Sequence, residues 1–156
     1  MEYKLYPILI PRCCWGSNLR ANLSEDEWKG ISRYIRYKAD GRCQICGLKS
    51  SRLDAHEIWE YNDIKHIQKL KVIKAVCKNC HDALHVGRTL SVKDTEEIKR
   101  IYSWICTVNR ISFDETKALI REAWADWEIR SQYDDWTTIV DDDYLKELLK
   151  EGSEFV

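Results

Sequence analysis

The chain has 156 residues, of which 25 are Lys or Arg and 26 are Asp or Glu, so its formal net charge is −1. Hydrophobic residues make up 44% and charged residues 33%, a balance that is typical of a folded domain and excludes a disordered or collagen-like chain. No apolar stretch approaches the roughly 20 residues that cross a bilayer, and the first residues lack the basic leader of a signal peptide. We therefore expect a cytoplasmic protein of one domain, or of one domain with an accessory part.

The near-neutral total hides an uneven distribution of charge. Residues 29–110 hold 17 Lys/Arg against 9 Asp/Glu, a net charge of +8, whereas residues 111–156 hold 5 against 13, a net charge of −8. A basic centre favours a polyanionic partner. The alternative is that the two parts neutralise each other across the fold.

The N-terminal quarter predicts an extended segment followed by a helix. Pro7 and Pro11 disfavour a helix in residues 3–15. Ser24, with a glutamate three residues later, has the pattern of a capping box and predicts a helix that continues to about residue 40.

The next part of the chain predicts two strands and a short helix. Residues 52–59 alternate in the manner of a strand, which places Asp54 and His56 on one face. Residues 71–76 predict a second strand. Residues 80–87 predict a short helix that ends at its glycine.

The C-terminal half predicts mainly helices. Two longer helices are expected over about 91–108 and 112–131, because each begins at a serine with an acidic residue three positions later. Residues 134–143 form an acidic connector, and a short last helix is expected over 144–150.

Four of the seven cysteines form two C-x-x-C pairs, Cys43/Cys46 and Cys77/Cys80, with 30 residues between the pairs. In a reducing compartment, two such pairs predict a tetrahedral thiolate site that holds a structural zinc ion. Redox-active pairs are the alternative, but neither pair lies in a thioredoxin-like pattern. The remaining cysteines are expected to be small buried apolar residues: Cys13, Cys14 and Cys106.

The four histidines all lie between residues 56 and 85. His81 and His85 are spaced i, i+4, so on a helix they share one face and can hold a divalent ion. His56 lies in the middle of a predicted strand between the two cysteine pairs. The alternative for each histidine is packing in the core.

The order C-x-x-C, a strand with a central histidine, a second strand, then C-x-x-C-H-x-x-x-H resembles the HNH endonucleases with a four-cysteine zinc, a branch of the ββα-metal nucleases. The match covers residues 42–88 and extends more loosely to 15–18 and 56–63, which are similar to small stand-alone bacterial HNH proteins. The resemblance implies an α+β fold with a zinc-stabilised ββα-metal core. An N-terminal segment and helix (1–41) and a helical C-terminal region with an acidic tail (89–156) would flank this core.

The resemblance also implies an activity, the metal-dependent hydrolysis of DNA phosphodiester bonds. His56 would be the general base, and His81 and His85 would hold a catalytic divalent ion such as Mg²⁺, Mn²⁺, Ni²⁺ or Zn²⁺. The structural Zn²⁺ would be bound by Cys43, Cys46, Cys77 and Cys80. DNA is the expected partner, with no membrane. Cations near these elements that can neutralise phosphates are Lys65, Lys69, Lys71, Lys74, Lys78 and Arg88.

Two positions depart from the family pattern. Ala55 stands where the family often has an acidic or histidine metal ligand, and Val72 stands where it usually has an asparagine. A second hypothesis is therefore a zinc-stabilised nucleic-acid-binding or adaptor module without turnover, and a third is a protein-interaction domain formed by the acidic, Trp-rich helices. The candidates for replacing the missing groups are Asp54 or Glu57 for the ligand and Asn62 or Gln68 for the amide.

Overall fold

Residues 2–88 and 94–156 are described by a computed structural model, which has a mixed α+β fold. The helices are α1 (Leu19–Asn22), α2 (Glu25–Lys38), α3 (Lys78–Leu84), α4 (Thr95–Asn109), α5 (Phe113–Arg130) and α6 (Asp142–Ser153), with a 3-10 turn at Arg12–Cys14. The strands are β1 (Asp54–Asn62), β2 (Ile67–Val76) and β3 (Thr137–Ile139). Within these two ranges, no helix combines the length and hydropathy that a bilayer crossing needs.

The sheet has the order β1-β2-β3, with β1 and β2 antiparallel and β3 parallel to β2. His56 of β1 lies opposite Lys74 of β2, so the two side chains share a face. The register shifts between Ile58 and Trp59, where Lys71 is the additional residue of a β-bulge. The hairpin therefore carries His56 on an edge strand whose register is fixed by its pairing with β2.

The strands predicted over residues 52–59 and 71–76 are confirmed, but both are longer than expected. The polar stretch 60–70 completes the hairpin, because it contains the end of β1, a turn and the start of β2. The sequence did not predict β3, which lies in the acidic connector. Its pairing with β2 begins with the Thr137 N–H, which donates to the His66 carbonyl at 2.9 Å.

The predicted helix starts are mostly confirmed by their caps. The hydroxyls of Ser24 and Ser112 each accept the backbone N–H of the glutamate three residues later at 3.1 Å, and both glutamates bond back. The start predicted at residue 91 lies outside the described residues. The described part of α4 is capped by Asp94, whose Oδ1 accepts the N–H of the residue three positions later at 2.9 Å.

The N-terminal segment contains no regular structure over residues 2–10, as expected, whereas the 3-10 turn and α1 were not predicted. Leu5 is fully buried; its N–H donates to Asn109 Oδ1 at 2.9 Å and its carbonyl accepts from Asn109 Nδ2 at 2.7 Å. The Ile8 N–H donates to the Leu84 carbonyl at 3.2 Å. These bonds join the segment to the ends of α4 and α3.

The acidic C-terminal region is part of the core rather than a loose tail. Helix α6 packs against α2 so closely that a Cβ added at Gly30 would meet the Gly152 carbonyl oxygen at 2.3 Å. Leu148 is fully buried, and the hydroxyl of Tyr144 accepts the N–H of Ile73 in β2 at 3.0 Å. The negative part of the chain therefore folds directly against its basic centre.

Candidate metal centres and the cleft

Four cysteine sulfurs form one cluster of metal-binding side chains in the described part of the chain. Cys43 and Cys46 lie in the turn before β1, and Cys77 and Cys80 lie at the end of β2 and in α3. The four sulfur atoms all lie within 4.8 Å of one another. The two predicted pairs therefore converge on one point.

Backbone hydrogen bonds fix the turn that carries the first pair. The Cys43 N–H donates to the Leu48 carbonyl at 3.0 Å, and the Gly47 N–H donates to the Cys43 carbonyl at 2.9 Å. Gly47 has φ +79°, a left-handed conformation that favours glycine. Gln44 bonds to Ala75 of β2 through both its backbone N–H (2.9 Å) and its side-chain oxygen (2.8 Å), so the turn is held beside the second pair.

The sulfur positions fit a zinc ion. Tetrahedral zinc with bonds of about 2.3 Å places its sulfur ligands about 3.8 Å apart. The sulfurs of Cys46 and Cys77 are 3.9 Å apart, and all four thiols are free. A disulfide would need a separation of about 2.05 Å, so these positions match a metal cage and not a disulfide pair.

The ionisation of the cysteine thiols also favours the binding of a cation. A hydrogen bond from the Cys80 thiol lowers the pKa of Cys43 to about 4, and the same bond raises the pKa of Cys80. Burial raises the pKa of Cys46 to about 11. Without a cation the sulfurs can ionise only in part, because neighbouring thiolates repel each other. A divalent ion would remove this repulsion and let all four bind as thiolates.

Trp104 of α4 supports the cluster from outside. Its indole N–H donates to the sulfur of Cys80 at 3.3 Å. Outer hydrogen bonds of this kind orient a ligand and stabilise its negative charge. Helix α4 is therefore connected directly to the end of α3 that carries the cysteine cluster.

We expect Trp104→Phe to weaken zinc binding by about 10- to 100-fold while leaving the fold intact, because it removes the N–H and keeps the aromatic packing. The measurement is the rate of zinc transfer to a chromogenic chelator. Trp124→Phe is the matched control, since Trp124 lines the cleft described below and contacts none of the four cysteines. Equal transfer rates in the two variants would contradict the assignment.

The three remaining cysteines are only partly as expected. Cys14 is buried, but Cys13 is exposed, so the expectation of burial is wrong for Cys13. Both cysteines lie on the 3-10 turn, where the side chain of Cys14 is buried and that of Cys13 is exposed to solvent. Cys106 is half-buried, with its sulfur 3.1 Å from the hydroxyl of Thr116.

Three histidines form the second cluster found in the described residues. The ring nitrogens of His56, His81 and His85 lie within 4.8 Å of one another, and the ring centroids are 4.6–5.2 Å apart. His56 comes from β1, and the other two come from α3 and its C-terminal cap. The spacing of His81 and His85 predicted their shared face, but only the fold brings His56 to them.

The histidine cluster has the donor chemistry of a divalent-metal site. Burial, followed by the nearby His85 and His81, lowers the pKa of His56 to about 3, and burial together with His81 lowers the pKa of His85 to about 4. Both rings are therefore neutral at pH 7 and have free lone pairs. Nitrogens bound to one ion at about 2.1 Å stand roughly 3.0–3.4 Å apart, so side-chain movements of about 1 Å would close the cluster around an ion.

Asp54 is the carboxylate beside this cluster. Its Oδ2 lies 3.4 Å from Nδ1 of His81, an arrangement that leaves Nε2 of the ring for a metal. Glu57 has another partner, because its Oε1 accepts the N–H of Leu19 at 2.6 Å. Ala55 contributes only a methyl group to the cleft lining. Of the two carboxylates proposed to replace the missing ligand, Asp54 is therefore the one near the histidines.

The two amides proposed for the asparagine position have other partners. Asn62 Oδ1 accepts the N–H groups of Ile64 and Lys65 in the hairpin turn, at 3.1 and 2.9 Å. Gln68 is buried and bonds to the Tyr61 hydroxyl at 2.8 Å and to the Thr138 hydroxyl at 3.1 Å. Both amides thus support the hairpin and β3.

A cleft of about 1170 Å³ is lined by all three histidines and by side chains from the N-terminal segment, α2 and α5. Five cations line this cleft. Two of them were predicted from the sequence to neutralise phosphates, and the other three, all arginines, were not. Three carboxylates also line the cleft. The cations are Arg20, Arg36, Arg52, Lys78 and Arg88, and the carboxylates are Asp54, Glu57 and Asp82.

The lysines of the hairpin are not among the residues that line this cleft. Lys74 lies opposite His56, Lys71 is exposed at the β-bulge, and Lys65 and Lys69 line a separate shallow groove beside β3. The basic side of the cleft therefore comes mainly from residues outside the metal-binding motifs.

Comparisons of this chain with models of protein families, with curated proteins and with solved structures gave no significant match.

Proposed function

We propose that this protein is a metal-dependent endonuclease of the HNH type, which hydrolyses phosphodiester bonds in DNA. The observation that carries the proposal is the meeting of His56 with His81 and His85 in a cleft, next to a thiolate cage on the same hairpin and helix. The order of β1, β2 and α3 is that of a ββα-metal core. This order and the two clusters together support the HNH reading of residues 42–88.

His56 is the general base in this proposal. Its ring is neutral at pH 7 and can accept a proton from the attacking water. Negative charge from a bound phosphate would raise the pKa of His56 from its low value in the free protein, because an anion favours the imidazolium. The ring therefore becomes a better proton acceptor when substrate is present.

His81 and His85 would hold a divalent ion, and Asp54 would orient His81 toward it. When bound, the ion would supply electrostatic stabilisation of the negative charge that develops on the phosphate and the leaving oxygen. The thiolate cage has a structural role, because it fixes the start of α3 relative to β1. The distance between the base and the ion-binding pair depends on that connection.

The alternative of a binding module without turnover is favoured by one observation. Ala55 and Val72 have no polar group, so neither can supply the metal ligand or the amide that the family usually has at these positions. Such a module would keep the zinc and the basic cleft and would bind nucleic acid without cleaving it.

We expect the purified protein to convert supercoiled plasmid to nicked or linear DNA when Mg²⁺, Mn²⁺, Ni²⁺ or Zn²⁺ is added, and to lose this activity without added ion. The measurement is gel analysis of plasmid with each ion in turn. His81→Ala is the test variant, with cleavage restored in part by a higher ion concentration. Binding without cleavage under every ion would refute the nuclease proposal and favour the binding module.

A further inference from the structure

The cleft is larger than a small-molecule site needs. Its volume of about 1170 Å³ exceeds the roughly 300–1,000 Å³ of typical ligand pockets. His56 is only 8% exposed, so the reacting group has to enter the cleft to reach it. A chain-like substrate that places one unit inside the cleft and runs across its rim fits these dimensions.

Trp15 is the one exposed aromatic side chain among the described residues that line this cleft, with 65% of its surface accessible. It is nevertheless held in place, because its indole N–H donates to the Ile10 carbonyl at 2.9 Å. The same carbonyl accepts the indole N–H of Trp127 in α5, also at 2.9 Å. The exposed ring of Trp15 and the ring of Trp127 in α5 are thus held by the same carbonyl of the N-terminal segment.

Two other aromatic rings at the cleft, those of Trp124 and Trp127, already have partners. The Arg12 guanidinium lies 4.8 Å from the centroid of the Trp127 ring, and the edge of Trp124 lies against the same ring, with centroids 5.5 Å apart. Trp59 is buried in the core. In the part of the chain that the structure describes, Trp15 has no ring or cation contact. Its π-face is therefore available to a ligand.

Hydrogen bonds fix the segment that carries Trp15 beside the strand that carries His56. The Leu19 N–H donates to Glu57 at 2.6 Å, and Glu57 is the residue after His56. The Ser17 carbonyl accepts from the side chain of Gln68 in β2 at 3.3 Å. Four residues of chain span at most about 14 Å, so the ring of Trp15 stands within a few nucleotides of the histidines.

Three exposed arginines lie along the same cleft. Arg20 lies in α1, Arg36 lies in α2, and Arg52 precedes β1. None of the three forms an ion pair within residues 2–88 and 94–156. The charge of Arg20 lowers the pKa of the nearby Glu57 carboxyl, although burial raises that pKa more strongly. Guanidinium groups without a close ion pair are suited to phosphate oxygens.

We propose that Trp15 is a stacking platform for an unpaired nucleobase of the substrate, with the neighbouring phosphates bound by Arg20, Arg36 and Arg52. In a duplex both faces of each base are covered by its neighbours, so a ring can stack only on a base that is single-stranded, at an end or displaced. The preferred substrate is then DNA with an unpaired region beside the cleavage site. This inference rests on the proposed function, which gives DNA as the substrate.

The test is binding, measured without added divalent ion so that no cleavage occurs. Fluorescence anisotropy compares a labelled single-stranded oligonucleotide with a duplex of the same sequence. We expect Trp15→Ala to weaken single-strand binding by roughly 5- to 150-fold, the loss that corresponds to one base–aromatic stack, and to leave duplex binding nearly unchanged. Trp15→Phe should keep most of the affinity.

Tyr37→Ala is the matched control. Tyr37 is the most exposed aromatic residue of α2, and its ring contacts Phe155 and does not line the cleft. Equal losses for single strand and duplex, or no loss in Trp15→Ala, would overturn the platform. The same holds if neither DNA binds at low salt. Stacking on Trp15 without any cleavage would refute only the nuclease, whereas cleavage with unchanged binding in Trp15→Ala would refute only the platform.

Discussion

Replacing Cys77 with serine is expected to remove the zinc and to destabilise the whole fold. Cys77 follows the last residue of β2 and caps the N-terminus of α3, so its sulfur joins the hairpin to the helix. Hydroxyl groups are poor zinc ligands, and the free energy of binding a structural zinc is part of the free energy of folding. We expect zinc affinity to fall by more than the 10- to 100-fold that the loss of an outer hydrogen bond causes.

Thermal unfolding followed by circular dichroism, together with elemental analysis, measures both effects. Cys106→Ser is the matched control, because Cys106 lies outside the cluster and a serine there can still bond to Thr116. Acid should release zinc from the wild type as well, because protons compete for the thiolates. A wild type that is folded and contains no zinc would contradict the prediction, as would equal melting temperatures in the two variants.

The features that the sequence predicted correctly are local. The capping boxes at Ser24 and Ser112 involve groups three residues apart, and each was recognised from that spacing. The spacing within each C-x-x-C pair likewise predicted that the four cysteines belong to one cluster. The i, i+4 spacing predicted that His81 and His85 lie on one face. In each case the structural constraint acts within one turn of chain.

The features that it missed depend on contacts between distant residues. Strand β3 has only three residues, and its partner in β2 lies about 70 positions earlier, so no periodicity marks it. The hairpin extends through the polar stretch 60–70 because backbone pairing between β1 and β2 continues there, and this pairing does not depend on hydrophobic side chains. Trp15 and Arg36 line the cleft only because α2 and the N-terminal segment fold across β1.

Hydrophobic alternation was also an incomplete guide within β1. It correctly placed Asp54 and His56 on one face, where Asp54 reaches His81. The β-bulge at Lys71 then changes the register with β2. Burial along β1 does not alternate, because Trp59, on the opposite face from His56, is buried as well. A bulge adds a residue without any sign in the sequence that fixes its position.

Replacing His56 with alanine is expected to lower metal-dependent DNA cleavage by about 10²- to 10⁴-fold while leaving zinc content and DNA binding nearly unchanged. In the proposed mechanism the ring accepts the proton of the attacking water, and it belongs to neither thiolate pair. Because the side chain is buried, alanine leaves a cavity, so His56→Asn is a second variant that retains polarity and volume. His66→Asn is the matched control, since His66 lies outside the cluster and asparagine tolerates its φ of +51°.

The pH dependence provides a second readout. The pKa of His56 is about 3 in the free protein, and that of an unfolded histidine is about 6.5. A folded-state pKa below the unfolded value means that the neutral ring contributes stability above pH 6.5, and that this contribution is lost as the pH falls toward 3. The free energy of unfolding should therefore fall less steeply below pH 6.5 in His56→Asn than in the wild type, while the similar contribution of His85 remains in both proteins.

Metal affinity separates the role of base from that of a third ligand. If His56 is the base, calorimetric titration with Mn²⁺ should give similar affinities for the wild type and His56→Asn, whereas His81→Ala and His85→Ala should bind the ion more weakly. A loss of Mn²⁺ affinity in His56→Asn as large as in His81→Ala would make His56 a ligand, because its ring nitrogen lies within 4.8 Å of the other two. Cleavage by His56→Ala at the rate of His66→Asn would remove His56 from the chemistry altogether.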